Sequence, residues 1–349
     1  MDVIKIQEQI DENRKSVASD SYDIAIRQLY DMAVEKMIDI APDYQRHFVW
    51  DEARQSQLIE SIMLGIPVPS LFMATNKDSS WEVIDGLQRL TTIINYIGTE
   101  EIIKKTNPKC KKLKITGLEK LTAINGLVFE QLPKSLQMMF MTRPIRVTVL
   151  NDRSDFEVRY DLFERLNTGG VILHPQEIRN CVFAGRFNDF IRELAKYSAF
   201  RSVVKNTPKQ ELTGNYEELV LKFFAYYQDR NLFVHAVKEF LNEYMEKKTR
   251  NFDDGNELES IFKKTFDYLN EALPEGIVRK NRKNATPLIL FEAITIGTAN
   301  CIFESIDIDN NKLRNILDDE ELKKLTTGAT NSRARLNSRI DYVKENVRV

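Results

Sequence analysis

The chain has 349 residues, 42% hydrophobic and 29% charged, which fits one large or two medium soluble domains able to bury a core. Fifty Lys and Arg against 52 Asp and Glu leave a net charge of -2, which excludes a global positive field for nucleic acid, so any such contact needs a local patch. Three scattered cysteines, Cys110, Cys181 and Cys301, argue against a disulfide framework or zinc ribbon; with no visible secretory signal and no apolar run long enough to span a bilayer, the expectation is a cytoplasmic protein.

Taken in chain order, Ile24 to Val34 reads as a short amphipathic helix. Residues 43–50 (DYQRHFVW) read as extended and aromatic. A helix follows from an Asp51 N-cap, with Leu58, Ile59, Ile62 and Met63 on one face, and Gly65, Pro67 and Pro69 end it. Leu71 to Thr75 and Trp81 to Ile84 are strand candidates around a polar turn. A helix from Leu87 carries Leu90, Ile93, Ile94 and Ile97. Residues 100–130 look irregular, Arg143 to Leu150 is the best strand, and Ser154 to Leu166 is again helical. Beyond that the periodicity is nearly all helical, over 187–197, 215–229, 232–248, 256–272, 286–305 and 331–346. Their apolar stripes read as bundle core. The shift in pattern near 183–186 predicts an α+β domain over 1–185 and an all-α domain over 186–349.

Three segments place polar residues and glycines at predicted strand or helix ends. In Trp81-Glu82-Val83-Ile84-Asp85-Gly86-Leu87-Gln88-Arg89-Leu90-Thr91-Thr92, a strand runs through Asp-Gly into a helix. Gly86 permits a tight turn, and a helix's first turn suits an anion. Arg89 offers a donor fork matched to phosphate, Gln88 can hydrogen-bond a base, sugar or water, and Asp85 can hold a metal-bound water or cap the helix. A capped turn with a surface arginine is the plain alternative. In Pro42-Asp43-Tyr44-Gln45-Arg46-His47-Phe48-Val49-Trp50, alternation sets Arg46 between Tyr44 and Phe48, opposite Gln45, His47 and Val49. Here the alternative is a half-buried edge strand. In Phe163-Glu164-Arg165-Leu166-Asn167-Thr168-Gly169-Gly170-Val171, a helix ends in a glycine turn that can form an anion nest or simply stop the helix.

Together, PxYQRxxVW, IDGxQRLTT and FxRLNTGG, followed by Pro175-Gln176-Glu177-Ile178-Arg179-Asn180, resemble the N-terminal domain of GmrSD-type restriction endonucleases, over roughly residues 20–185. The resemblance implies a ParB/sulfiredoxin-like α+β domain with a small mixed sheet. It also implies binding and hydrolysis of a nucleoside triphosphate with Mg²⁺, in defence against foreign DNA. By position it assigns Asp85, Gln88 and Arg89 to catalysis, with Asp85 also at the metal. Gln45, Arg46, Gly86, Arg165 and Asn167 are assigned to nucleotide binding. The chain departs from the family signature at Leu87, where the family usually has Gln. An apolar side chain there removes a hydrogen bond if it faces the nucleotide and costs nothing if it faces the fold.

Many members of the family carry a histidine-dependent HNH nuclease module. This chain has only His47, His174 and His235, none in such a setting, and His235 reads as a core position on an apolar helix. The expectation is a chain without its own HNH nuclease, acting with a separately encoded nuclease or effector or as a stand-alone sensor. Two basic runs, Lys104, Lys105, Lys109, Lys111, Lys112 and Lys114 in one loop and Arg279, Lys280, Arg282 and Lys283 in another, are candidate DNA-backbone contacts or plain solvated loops. The competing functions are a non-catalytic DNA- or protein-binding module and a ParB-fold nickase using Asp85 and Glu82.

Overall fold

A computed structural model describes residues 3–7, 19–40, 48–76, 78–106, 108–151, 156–166, 174–211, 213–328 and 330–349. The chain forms two compact units, Met1–Ile172 and Leu173–Val349. The first is α+β and the second helical.

The first unit contains β1 (Ser19–Ala25), α1 (Ile26–Val34), β2 (Ile38–Asp39), α2 (Glu52–Leu64), β3 (Leu71–Thr75), β4 (Trp81–Asp85), α3 (Leu87–Ile97), α4 (Glu100–Thr106), α5 (Lys134–Met141), β5 (Pro144–Leu150) and α6 (Phe156–Leu166). The five strands form one mixed sheet in the order β1-β5-β3-β4-β2. β5 alternates as its sequence implies, burying Ile145, Val147 and Val149, and pairs antiparallel with β1 and parallel with β3. β3 and β4 form the expected antiparallel hairpin.

β1 is a strand that the sequence hides. Its residues SDSYDIA bury only Ile24, so no alternation marks it. Its register against β5 is reinforced by Arg146 Nη2 on Asp23 Oδ2 at 2.7 Å. The expected helix from Ile24 accordingly begins at Ile26. α4 also replaces part of the stretch expected to be irregular. Its acidic first turn, Glu100 and Glu101, and basic last turn, Lys104 and Lys105, complement the helix dipole. Lys104 and Lys105 therefore belong to a helix rather than to the lysine loop.

α2 and α3 cover the sheet. Asp51 caps α2 as predicted, its Oδ1 accepting from the Arg54 amide at 2.8 Å. Leu58, Ile59, Ile62 and Met63 of α2 join Leu90, Ile93, Ile94 and Ile97 of α3 in the core.

The second unit comprises α7 (Pro175–Val182), α8 (Arg186–Leu194), α9 (Ser198–Val203), α10 (Pro208–Glu211), α11 (Asn215–Asp229), α12 (Val237–Arg250), α13 (Gly255–Ala272), α14 (Leu288–Phe303), α15 (Asn310–Ile316), α16 (Glu320–Leu325) and α17 (Arg333–Asn346). α14 is its apolar axis, and Gly297 lets α17 approach closely, since a Cβ there would stand 2.7 Å from Val343 Cγ1. Phe200, Phe223, Phe262, Phe266 and Phe291 interlock around this axis at ring separations between 4.4 and 6.5 Å.

Two expectations shift in this unit. α7 precedes the join expected at 183–186 yet packs with the second unit. Its buried Arg179 donates to Asn242 Oδ1 at 2.8 Å and reaches Glu218 Oε2 at 3.3 Å, which ties it to α12 and α11. His235 is not a core residue: α12 starts only at Val237, and His235 is exposed in the bend before it. The preceding chain is held instead by Arg333, whose Nε donates to the Phe233 carbonyl at 2.8 Å.

Candidate functional site

β4 ends at Asp85, Gly86 turns the chain with φ +107°, and α3 begins at Leu87. That backbone conformation suits glycine alone, and a Cβ at this position would overlap Leu71 Cδ2. The strand-turn-helix junction read from the sequence is therefore pressed directly onto β3.

Arg89 folds beneath the turn. Its Nη1 donates to the carbonyls of Pro69 at 2.5 Å and Ser70 at 2.8 Å, and its Nη2 donates to Asp85 Oδ2 at 2.5 Å. Three of the roughly five guanidinium donors are thus used inside the fold. The Arg89 side chain is 12% exposed and that of Asp85 32%. Asp85 is not the helix cap: the N-cap is Gly86, and the carboxylate turns to Arg89 instead.

Gln88 faces another segment. Its Oε1 accepts from the backbone amides of Val49 at 2.9 Å and Trp50 at 3.2 Å. Gln88 thereby anchors the chain immediately after the Gln45-Arg46 pair. Gln45, Arg46 and His47 lie outside the described residues. Phe48 is half-buried and Val49 is 59% exposed, as alternation requires. Leu87, the departure from the family signature, packs against the hydrophobic core. Its half-buried side chain thus contributes to the fold.

Arg165, Asn167 and Glu82 complete the predicted set. Arg165 is exposed near the end of α6, and Asn167 is outside the described residues. Glu82 is buried, three residues before Asp85 on β4, and the hairpin register shifts between the two, Glu82 standing opposite Ala74 and Asp85 opposite Phe72. Among the described residues no group of three or more His, Cys, Asp or Glu is placed to hold a metal ion.

Farther along α3, at Asn95, lies a cleft of about 200 Å³ that the motifs alone did not indicate. Phe48 and Trp50 line it, with Gln55 of α2, Asn95 of α3 and the segment 109–113. Asn95 Nδ2 donates to Gln55 Oε1 at 3.2 Å, and Gln55 Nε2 donates to the Trp50 carbonyl at 3.1 Å. Burial pushes the Cys110 thiol upward, partly offset by its hydrogen bond to Asn95. A signal was present in the sequence: Asn95 is a polar residue amid Ile93, Ile94, Tyr96 and Ile97, seven positions after Gln88 and so on the same helix face.

The basic runs are partly neutralised. Lys112 Nζ meets Glu130 Oε1 at 2.5 Å and Lys283 meets Glu275 at 2.8 Å, while Arg279 turns inward to the Leu317 carbonyl and Thr326 Oγ1. Among the described residues no helix is long and apolar enough to cross a membrane.

Residues 26–184 match the family described as GmrSD restriction endonuclease, N-terminal domain. No curated protein matches the chain. A role in a restriction or defence system is what the family match supports.

Proposed function

From the match of residues 26–184 to the GmrSD restriction endonuclease N-terminal domain, we propose that the chain binds a nucleoside triphosphate at the Gly86 turn and hydrolyses it with Mg²⁺ in restriction or anti-phage defence. The observation that carries this reading is the partly exposed Asp85–Arg89 pair at the start of α3. A metal–triphosphate offers each member a second partner: the metal for Asp85, the phosphates for Arg89 and the first-turn amides.

Mg²⁺ keeps several waters and is bound through one or two carboxylates plus substrate phosphates, so a single partly exposed Asp85 suits it. When bound, the ion neutralises phosphate charge as it develops during transfer. Gln88 acts in this proposal as a positioning residue, because its oxygen is already committed to Val49 and Trp50. Gln45, Arg46, Arg165 and Asn167 are the further binding residues that the family assigns. The protein works in the cytoplasm with a separately encoded nuclease or effector, and the exposed lysines around Lys111 meet DNA backbone.

The test is phosphate release from ATP, GTP, CTP and UTP with Mg²⁺, with and without DNA, comparing wild type with Asp85→Asn. Asn keeps an oxygen for Arg89, so the brace under the turn survives. The expected result is turnover by wild type, reduced by roughly 10²-fold in the variant at an unchanged melting temperature. Full turnover by Asp85→Asn sinks the assignment. Arg89→Ala is a poorer probe, since it also removes two bonds to backbone carbonyls. One observation favours the second reading, a nucleotide-gated clamp without turnover: Arg89 already uses most of its donors within the fold. Nucleotide retained by wild type without phosphate release selects it.

A further inference from the structure

We propose that the cleft lined by Phe48, Trp50, Gln55 and Asn95 receives the base of the nucleoside triphosphate, an inference that rests on the nucleotide reading above. At about 200 Å³ the cleft is smaller than the roughly 300–1,000 Å³ of sites that bury whole drug-sized ligands. It holds a ring system rather than an entire nucleotide.

Its walls have the chemistry for a heterocycle. Phe48 and Trp50 supply aromatic surface, the sequence-tolerant platform for any base. Trp50 is fixed before any ligand arrives: its amide donates to Gln88, its carbonyl accepts from Gln55, and the Arg54 guanidinium lies 4.8 Å from its ring centroid. Gln55 and Asn95 are buried side-chain amides bonded to each other. Each amide carries two donor hydrogens and an acceptor oxygen with two lone pairs; beyond their mutual bond Gln55 engages the Trp50 carbonyl and Asn95 engages Cys110, which leaves part of that capacity for the edge of a base. Buried amides of this kind give discrimination, because a wrong base leaves them unpaired in a site shielded from water.

The position fits the proposed phosphate site. Gln88 and Asn95 are seven residues apart on one face of α3, about 10 Å along its axis, a separation that the sugar and phosphates of a nucleotide can bridge. The charges at the cleft favour the base over the triphosphate. Lys112 is engaged by Glu130 and the Gly98 carbonyl, and the Glu52 carboxylate also borders the opening. Lys109 and Lys111 border the cleft and stand exposed.

The chain has two tryptophans, Trp50 and Trp81, so Trp81→Phe leaves Trp50 as the sole reporter. Trp81 stacks on Tyr22 in the sheet, and phenylalanine preserves an aromatic partner there. The experiment titrates this variant with each of the four nucleoside triphosphates, and with tripolyphosphate, in the presence of Mg²⁺. Trp50 emission is followed beside equilibrium dialysis of the labelled ligands. The expected result is emission that tracks nucleotide binding and does not respond to tripolyphosphate. Asn95→Asp, checked for an unchanged melting temperature, is expected to shift the ranking among the four bases by roughly tenfold. If that variant does not fold, the Trp50 signal decides alone. Nucleotide retained in dialysis with Trp50 emission unmoved overturns the base site while leaving the nucleotide reading intact. An equal response to tripolyphosphate makes the cleft a phosphate site and also overturns the proposal. No retention of any nucleotide removes the nucleotide reading, and this inference with it.

Discussion

Each unit holds an arginine–carboxylate pair that meets at 2.5 Å, and their surroundings give these two pairs different capacities. Arg339 and Glu292 of the helical unit meet at 2.5 Å with side chains 1% and 3% exposed. Arg89 and Asp85 of the α+β unit meet at the same distance with side chains 12% and 32% exposed. The first pair cannot change partners without opening a core; the second borders solvent at a helix start and can. Contact distance therefore says little about role. The cost of desolvating each ion and the access of a third partner decide whether a pair locks or binds.

The largest expected effect tests the lock. Glu292→Ala leaves Arg339 as an uncompensated buried cation and is expected to cost about 3–5 kcal/mol, read from the urea midpoint of the helical unit. Glu292→Leu combined with Arg339→Met is expected to recover most of that loss. A Glu292→Ala variant as stable as wild type breaks the contrast.

Next is the turn that carries the exchangeable pair. Gly86→Ala imposes φ +107° on a residue with a Cβ and drives it against Leu71, an expected loss of about 2–3 kcal/mol in thermal melts of the α+β unit. Tolerance of alanine there would mean that the turn relaxes more freely than its packing implies. Gln88→Ala leaves the Val49 and Trp50 amides without their acceptor. It is expected to cost about 1–2 kcal/mol and to speed hydrogen exchange at those two amides. Unchanged exchange would remove Gln88 from its positioning role.

The smallest effect is a pH dependence in the helical unit. Burial pushes the Glu218 carboxyl up, but the charges of Lys222 at 3.0 Å and Arg179 at 3.3 Å outweigh it and hold the group below the ordinary carboxylate range. A depressed folded value means stability that is fully present above the unfolded pKa and lost as pH falls through the folded one. Glu218→Gln is expected to flatten the acid limb of a melting-temperature profile taken from about pH 6 down to about pH 3. An acid limb as steep as wild type would assign that limb to other carboxylates.

Much of the architecture is legible locally. The Asp51 cap, the β3–β4 hairpin, the alternation of β5 and the helix expected over 215–229 all follow from short-range patterns. β1 does not, because a mostly polar edge strand owes its conformation to a partner more than a hundred residues away. The α12 start was misplaced because Phe233 extends the apolar stripe backward, although Arg333 holds its carbonyl from another helix. At the site, Gly86 and the strand-to-helix turn are local and were readable. The targets of Arg89 and Gln88 are not: they are backbone atoms of Pro69, Ser70, Val49 and Trp50, and any residue type supplies those atoms.

The sequence by itself determined which residues gather at the turn, the α+β-then-helical order and the family match over residues 26–184, since these depend on side-chain identity and spacing along the chain. Only the tertiary structure decided what those side chains do. It packs Leu87 against the core, gives Gln88 to the amides of Val49 and Trp50, and draws Asn95 and Gln55 together beside Trp50. The reason is geometric: a residue's partners are set by which elements pack against its helix or strand face, and that packing is a property of the whole unit.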